Sequence, residues 1–456
     1  MNKTLTLIAI FCLLLFASSC VLASKAFIIV CPDRFKSELS RYAKYKKKQL
    51  PVKVITLEAI LKSSPGVDDP ERIKNYLYKA WRKDDLGYVL LVGDADIMPV
   101  RYMVLDRVTE PAFNYAFYPS DLYYADVAKQ DGSFDDWNAQ KDGYHAGYFG
   151  EVHGEKHKNP PINFDNVDYR PEIAVGRWPV SNAQEIRNVV DKTMNYEKTA
   201  AKGKAPGIRT AAFFASGGWM DSRGTMDRYI SHLPSGWTAE KRYYKDERDD
   251  KTPPVNNAEM VALLNSGAGL VIHAGHGNDL LWDGCFSTAD LKNVHNENCL
   301  PVMFSVGCYT ARFATLPPYE PYTDIAGVEH KGSDHGEVFT SPPPPPAPYQ
   351  SGAHNPTGLG EIVLRQGLNG AVAYIGCNTG GQPCALTLQE GFIKAFEKTK
   401  TPILGDCWKS AMSYYYDREH LATLLPTEDW YPPSIFFQGM KFMLFGDPTL
   451  RMPEVR

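Results

Sequence analysis

Several features that would narrow the function of a protein are missing from this sequence. Beyond the amino terminus, no apolar run is long enough to cross a bilayer, so we expect no transmembrane segment. The net charge is −4 at pH 7 and no basic face is readable, which argues against a nucleic-acid partner. No pair of cysteines has the spacing of zinc ligands, and no histidine pair accompanies Cys377 and Cys384. These absences leave a globular protein without a structural zinc site.

The composition agrees with that class. The chain has 456 residues, of which 44% are apolar and 22% are charged. These fractions are typical of soluble globular proteins. The length is sufficient for a large core and for two structural units.

The amino terminus has the pattern of a secretory signal peptide, residues 1–23. Lys3 precedes an apolar run from Leu5 to Phe16, and small residues then lead to Ala23. We expect cleavage near Ala23 and a mature protein that is secreted, periplasmic or at the cell surface. A lipoprotein acylated at Cys20 is the alternative, and Ala17 argues against it because such signals usually have leucine there. The first predicted strand follows at once, so we expect no long propeptide.

Seven cysteines remain after the two in the leader. Export permits disulfides, and an odd number leaves at least one thiol unpaired unless it pairs between chains. The seven are Cys31, Cys285, Cys299, Cys308, Cys377, Cys384 and Cys407. We interpret most of them as core or disulfide residues.

Short β-branched runs alternate with amphipathic helical patterns along the chain. "YVLLVGD" (Tyr88 to Asp94) is a continuous apolar strand, and Ser181 is placed to cap the helix after "EIAVGRWPV". Such alternation predicts an α/β protein with a mostly parallel sheet flanked by helices. The break from Ala200 to Gly207 predicts a boundary between a unit at 24–203 and a unit at 204–456.

Two long stretches do not fit the alternation. One, about 107–170, is rich in Tyr, Asp, Asn and Gly, and the other, 316–358, is rich in proline. Segments this long without regular structure are uncommon in compact domains unless they are functional or disordered. The run from Pro342 to Pro346 predicts polyproline II, and its place after Cys308 makes this insertion a candidate lid or cleavable loop.

Two apolar strands end in residues suited to nucleophilic catalysis. "GLVIHAGHG" ends at His276–Gly277, and "PVMFSVGC" ends at Cys308. In a parallel sheet, residues at the carboxyl ends of neighbouring strands share one crevice. A histidine favours the thiolate of a cysteine and protonates the leaving group. We therefore predict a His276–Cys308 dyad, with the N–H groups of Gly277 and Cys308 as oxyanion donors. His273 is the competing base, but it lies inside the strand.

Several motifs in fixed order resemble those of one family of cysteine peptidases. They are "YVLLVGDADIMP", "SDLYYAD", "EIAVGRWPVSN", "HAGHGNDLLW", "MFSVGCYTARF", "GLNGAVAYIG" and "MLFGDPTLR". The set is similar to the gingipain family, within the caspase, legumain and gingipain group, and covers nearly all of the mature chain.

The resemblance implies a caspase-like fold and an exported cysteine endopeptidase acting on proteins or peptides. It implies the His276–Cys308 dyad, and it makes Trp282 an aromatic that closes the substrate pocket. A core tryptophan is the alternative for Trp282. Two alternatives to the endopeptidase remain: a transpeptidase or sorting enzyme using the same dyad, and a non-catalytic binding module of the same fold.

A cluster of carboxylates in the first insertion is a candidate calcium site. Hard oxygen ligands in a glycine-containing loop suit Ca²⁺, although the spacing is not that of an EF-hand and a solvated acidic loop is the alternative. The resemblance also implies structural calcium, and no organic cofactor is expected. The candidate ligands are Asp121, Asp126, Asp131, Asp135, Asp136, Asp165, Asp168 and Glu172.

One segment departs from the family pattern. In "ASGGWMDSRGTMDRY", Asp221 and Asp227 are candidate pocket acids, but Arg223 lies nearest to the acid's position. Gly217–Gly218 stand where the family has a glutamate. The resemblance therefore assigns neither a residue preference at the cleavage site nor a third catalytic residue.

Overall fold

The computed structural model describes residues 25–105, 116–152, 161–199, 202–245, 253–318, 320–332, 343–351, 358–425 and 432–454. The signal peptide predicted at 1–23 lies outside these residues, as do 319, 333–342 and 352–357 of the proline-rich insertion.

The strands, in chain order, are β1 Ala26–Cys31, β2 Val52–Thr56, β3 Leu86–Val92, β4 Tyr102–Val104, β5 Phe117–Pro119, β6 Ala174–Trp178, β7 Thr210–Gly217, β8 Thr238–Tyr243, β9 Leu270–Gly275, β10 Leu281–Trp282, β11 Phe286–Ser287, β12 Val302–Ser305, β13 Tyr322–Asp324, β14 Glu329–His330, β15 Gln350–Ser351, β16 Ala373–Cys377 and β17 Phe442–Phe445.

The helices are α1 Ser40–Lys46, α2 Leu57–Ser63, α3 Asp69–Asp84, α4 Leu122–Ala125, α5 Ala183–Thr199, α6 Arg223–Ser231, α7 Asn257–Ser266, α8 Leu359–Arg365, α9 Leu386–Lys398, α10 Leu404–Arg418 and α11 Pro432–Gln438. Within the described ranges, none of them combines the length and the apolar character that a bilayer span requires.

Local sequence explains where the longer helices begin. Asp68 accepts a hydrogen bond from the N–H of Glu71 at 3.0 Å, which caps α3. The predicted cap of α5 was one residue early. Asn182, not Ser181, accepts from the N–H of Glu185 at 3.0 Å.

Ten strands form one sheet, in the order β2-β1-β3-β6-β17-β16-β12-β9-β7-β8. Strands within each half are parallel, and the two halves meet at the antiparallel pair β16–β17. The five strands from β16 to β8 therefore all end at one edge of the sheet. The candidate dyad lies at that edge.

Helices cover both faces of the sheet, because successive strand residues point to opposite sides. In β1, Ile28 and Val30 pack into one core with α3, α9 and α10, whereas Phe27 and Ile29 pack into the other with α1, α5 and α7. The predicted α/β class is confirmed. Strands from residues 24–203 and from residues 204–456 share the one sheet. The division of the chain at 203/204 stays a prediction.

The described part of the proline-rich insertion packs against the first half of the chain. Val100 donates its N–H to the carbonyl of Pro348 at 2.8 Å, and Gln350 donates to the carbonyl of Ala95 at 3.0 Å. Gln350 also accepts from the backbone of Thr315 at 2.9 Å. This segment is thus anchored on the stretch that follows β3.

All seven cysteines of the described residues have free thiols. Cys308 and Cys384 are half-buried, and the other five are buried. These five are small core residues rather than disulfide partners.

Candidate active site

The two candidate catalytic residues follow neighbouring strands. β9 and β12 pair in parallel, with Ser305 opposite His273. His276 comes three residues after His273, and Cys308 comes three residues after Ser305. Both residues therefore leave the sheet at the same level of the same edge.

The histidine is held by a backbone carbonyl. The His276 side chain is exposed, and its Nε2 lies 2.9 Å from the carbonyl oxygen of Gly218. This hydrogen bond favours the tautomer that carries the proton on Nε2, which leaves Nδ1 as the basic nitrogen. Gly217 and Gly218 both have φ near +75°, at +76° and +75°. Glycine tolerates that conformation, so the pair that replaces the expected glutamate still supplies an acceptor for the histidine.

The cysteine contacts a third strand end. Cys308 is half-buried, and its Sγ accepts a hydrogen bond from the N–H of Gly381 at 3.2 Å. Gly381 lies in the loop that follows β16, the other neighbour of β12. The same sulfur lies 3.8 Å from the carbonyl oxygen of Gly381, so both backbone groups of Gly381 contact it. Gly381 was not among the residues predicted from sequence, although "AVAYIGCNTGG" showed a third apolar strand followed by glycines.

Glycine is required at the predicted oxyanion donor. A Cβ at Gly277 would lie 2.7 Å from Cγ2 of Thr310 and 3.4 Å from the carbonyl oxygen of Cys308. The loop after β9 thus packs directly on the loop that carries the nucleophile. Among backbone hydrogen bonds of the described residues, neither the N–H of Gly277 nor that of Cys308 is a donor. Neither N–H is therefore committed to another backbone group in the described part of the chain, and their role as oxyanion donors stays a prediction.

Trp282 is a core residue. It is 1% exposed, its Nε1 donates to the hydroxyl of Tyr374 at 2.9 Å, and its ring stacks on His273 at a centroid distance of 4.4 Å. In this structure the indole offers no exposed face to a substrate, contrary to the pocket role that was expected. His273 is also fully buried, and burial lowers its pKa to about 3. It is neutral and packed, as the sequence analysis expected.

The two candidate pocket acids are paired with basic residues. Arg223 bonds Asp221 through Nε at 2.8 Å and Nη2 at 3.1 Å. Desolvation would raise the pKa of Asp221, but the hydrogen bonds and charge of Arg223 outweigh it and lower the pKa. Asp227 lies 2.7 Å from the Nζ of Lys241 and accepts from the hydroxyl of Tyr243 at 2.9 Å. Neither carboxylate is left to attract a basic substrate side chain alone.

Seven of the eight predicted calcium ligands already accept hydrogen bonds. Asp135 does so through one oxygen, from the N–H of Trp137 at 3.2 Å. Asp121 receives two from the guanidinium of Arg177, at 2.8 and 2.7 Å. The remaining five accept from backbone N–H groups or polar side chains: Asp131, Asp136, Asp165, Asp168 and Glu172.

Buried carboxylate oxygens of Asp126 and Asp135 remain without hydrogen-bond partners, and the charge of buried Lys74 acts on both. Both oxygens of Asp126, one oxygen of Asp135 and the Nζ of Lys74 have no hydrogen-bond partner among the described residues. Lys74 is fully buried, and its Nζ lies 4.3 Å from the ring centroid of Tyr123 and 4.7 Å from that of Trp137. Burial raises the pKa of Asp126 and of Asp135, and the charge of Lys74 acts against that shift.

Calcium binding by these side chains stays a prediction. Across the part of the chain that the structure describes, no three of the His, Cys, Asp or Glu side chains converge on one metal position. Among the charges that act on Asp126 and Asp135, that of Lys74 opposes their raised pKa most strongly. Sequence reasoning missed Lys74, although it lies three residues before Leu77, on the apolar stripe of α3.

Known protein families account for this arrangement. A family model described as peptidase family C25 matches residues 22–453. The chain belongs to this family. It is therefore a cysteine-type peptidase by class, and the resemblance drawn from the motifs is confirmed.

The curated relatives are gingipains of Porphyromonas gingivalis. Gingipain R2 is 23% identical over 291 residues, which cover 63% of this chain and 32% of gingipain R2. Lys-gingipain W83 is 23% identical over 176 residues, which cover 38% of this chain and 10% of that protein. The matched region thus spans about a third or less of the relatives' length.

The fold is that of a solved member. The crystal structure of the Arg-specific cysteine proteinase gingipain R matches 95% of this chain and 79% of its own, with a TM-score of 0.61 and 17% identity. The complex of the RgpB pro- and mature domains matches 94% of this chain and 80% of its own, with a TM-score of 0.59 and 16% identity. At these identities the likeness concerns the fold.

Proposed function

We propose that the protein is an exported endopeptidase in which Cys308 is the nucleophile and His276 the general acid and base. The observation that carries the proposal is the placement of both residues at the carboxyl ends of paired strands, with Gly277 packed on the Cys308 loop. Export rests on the signal-peptide pattern of residues 1–23. Protein or peptide chains are the substrates.

The first half of the reaction forms a thioester. The Cys308 proton passes to Nδ1 of His276, and Sγ bonds to the scissile carbonyl carbon while an electron pair moves to the oxygen. The N–H groups of Gly277 and Cys308 donate to this oxyanion. When the carbonyl re-forms, the C–N bond breaks and the leaving amine takes the proton from His276.

Hydrolysis then restores the enzyme. His276 accepts a proton from a water molecule as the water oxygen attacks the thioester carbon. The C–S bond breaks, the peptide leaves as a carboxylic acid, and the sulfur regains its proton from His276. Throughout, the carbonyl of Gly218 holds Nε2 and keeps the ring oriented.

A neutral residue on the amino side of the cleaved bond is expected to be accepted as well as a basic one. The carboxylate nearest to the His276 support, Asp221, is already neutralised by Arg223. A basic side chain would have to compete with that bidentate pair for the same oxygens. Calcium stays a prediction as a structural ion, and the proposed steps use only protein groups and water.

Cleavage of a mixed peptide library under reducing conditions tests the proposal, with Cys308→Ala as the matched variant and a peptide-ketone panel as a covalent probe. We expect internal cleavage and ketone labelling that both disappear in the variant. Products ligated to an added amine would identify a transpeptidase instead. Binding of peptides without any Cys308-dependent chemistry would identify a non-catalytic module and overturn the proposal.

A further inference from the structure

A chain of hydrogen bonds lies buried beneath the candidate active site. Its centre is His273, which is fully buried within β9. Nδ1 lies 2.8 Å from the hydroxyl of Ser305, and Nε2 lies 3.0 Å from the hydroxyl of Ser216. A neutral imidazole has one donor and one acceptor nitrogen, so both are in use.

One end of this chain reaches the nucleophile loop. The Ser305 hydroxyl accepts a hydrogen bond from the N–H of Gly307 at 3.1 Å. Gly307 is the residue before Cys308, so a single hydroxyl links the imidazole to the turn that presents the sulfur. The turn is tight, since a Cβ at Gly307 would lie 3.3 Å from the Ser305 hydroxyl.

The other end reaches the support of the general base. Ser216 lies at a bulge in β7, where the pairing with β9 shifts between Ala215 and Gly217. Bulges near functional sites re-aim a side chain, and this one places the Ser216 hydroxyl on His273. Two residues later, the carbonyl of Gly218 receives the hydrogen bond of His276.

The face of the imidazole fixes a third segment. The Trp282 ring stacks on His273 with an interplanar angle of 1°. Trp282 also forms a β-bridge with Gly277, the predicted oxyanion donor. The loop from His276 to Trp282 is thereby seated on the same buried ring.

We propose that His273 is a positioning residue that sets the relative placement of Cys308, His276 and Gly277. The imidazole contacts three segments, each of which carries one group of the reaction, and it touches no substrate. This inference rests on the proposed peptidase function. Burial lowers the pKa of His273, so its imidazole is neutral at working pH and is not a competing base.

The test compares variants that remove the hydrogen bonds and preserve the packing. His273→Phe keeps a ring against Trp282 but has neither nitrogen, and Ser305→Ala removes one hydroxyl. Thr193→Ala is the matched control, because the Thr193 hydroxyl is equally buried and bonds only the carbonyl of Val189 at 2.8 Å on α5. Cleavage of the best library peptide gives kcat and KM for each protein.

For His273→Phe and Ser305→Ala we expect kcat to fall roughly 10- to 100-fold, the loss caused by a displacement of about 1 Å between reacting groups. KM should stay within about twofold of the wild-type value, because the residue makes no substrate contact. Thr193→Ala should leave both constants unchanged. A double variant, Ser216→Ala with Ser305→Ala, should lose less than the product of the single losses, since both hydroxyls act through one ring.

The outcomes separate this inference from the proposed function. If the wild-type protein cleaves in a Cys308-dependent way and both variants keep full kcat, His273 has no positioning role and the inference is wrong. If His273→Phe does not fold, Ser305→Ala and Ser216→Ala decide the same question. If the wild-type protein shows no Cys308-dependent cleavage, the proposed function fails first.

Discussion

The sheet edge that carries His276 and Cys308 differs in an instructive way from the acidic insertion after β3. Both regions concentrate polar residues, and both were candidate sites from sequence. At the sheet edge, strand register brings distant residues together and leaves their reactive atoms accessible. In the insertion, most carboxylates accept hydrogen bonds from neighbours, and the charge of Lys74 acts on the open oxygens of Asp126 and Asp135. Residues at neighbouring strand ends thus lie at one edge of the sheet, whereas the acidic residues of the loop mostly accept hydrogen bonds from nearby backbone and side-chain groups.

The largest expected loss of activity is at His276. Changing His276→Ala should reduce kcat/KM by about 10²- to 10⁴-fold, the range for loss of a general acid and base. The steady-state assay of the library peptide measures this loss. His232→Ala is the control, because that exposed imidazole pairs with Glu397 at 3.0 Å outside the site. Equal activity of the wild type and His276→Ala would remove the dyad.

Substitutions among the buried charges around the insertion should change the free energy of unfolding rather than the catalytic rate. Replacing Lys74→Met removes the charge that opposes the raised pKa of Asp126 and Asp135, so we expect a loss of about 1–3 kcal/mol in the free energy of unfolding. Denaturant titration measures it, with the exposed Lys79→Met on the same helix as control. Adding Asp126→Asn and Asp135→Asn should restore part of the loss. A neutral effect of Lys74→Met would mean that another group balances these carboxylates.

The buried histidine gives the sheet edge a pH signature of its own. Burial lowers the pKa of His273 from its ordinary 6.5 to about 3. Between these values the unfolded chain binds one more proton than the folded chain, so stability rises with pH across the window and is lost as pH falls. Relative to His273→Phe, the wild type should show an extra slope of up to about 1.4 kcal/mol per pH unit. Equal slopes in unfolding titrations at pH 3–7 would show that His273 is not buried and neutral.

A smaller effect is expected at Asp221. Arg223→Gln removes the bidentate positive partner of Asp221, so cleavage after Arg or Lys should rise a few-fold relative to cleavage after neutral residues. Ratios of kcat/KM for paired peptides measure the change. If the preference for basic residues falls or stays the same, Asp221 does not face the bound side chain.

The smallest expected effect concerns calcium. Because the predicted ligands do not converge, EGTA should leave the melting temperature unchanged, and added Ca²⁺ should not raise it. A melting temperature that falls with EGTA and recovers with Ca²⁺ would show that the insertion rearranges around the ion.

The sequence supported the fold and the dyad for the same physical reason. Apolar strands that end in glycine have a strict geometry, so His276 and Cys308 could be placed without coordinates. Trp282 and Lys74 could not, because their roles depend on tertiary packing that no local pattern records. Trp282 is covered by His273 and Tyr374, and Lys74 is buried with its charge acting on two of the predicted metal ligands. The hydrogen bond from His276 to the carbonyl of Gly218 could not be predicted either, because every residue has a backbone carbonyl and residue type does not show which one is used.

The central claim is that His276 activates Cys308 across two strand ends, and differential thiol alkylation tests it most directly. Iodoacetamide labelling, mapped by mass spectrometry, compares Cys308 with Cys384, the other half-buried thiol, whose pKa burial raises to about 11. We predict that Cys308 reacts much faster than Cys384 in the wild type and slows in His276→Ala, while Cys384 is unaffected. Equal rates at the two cysteines, or a Cys308 rate that does not depend on His276, would contradict the account.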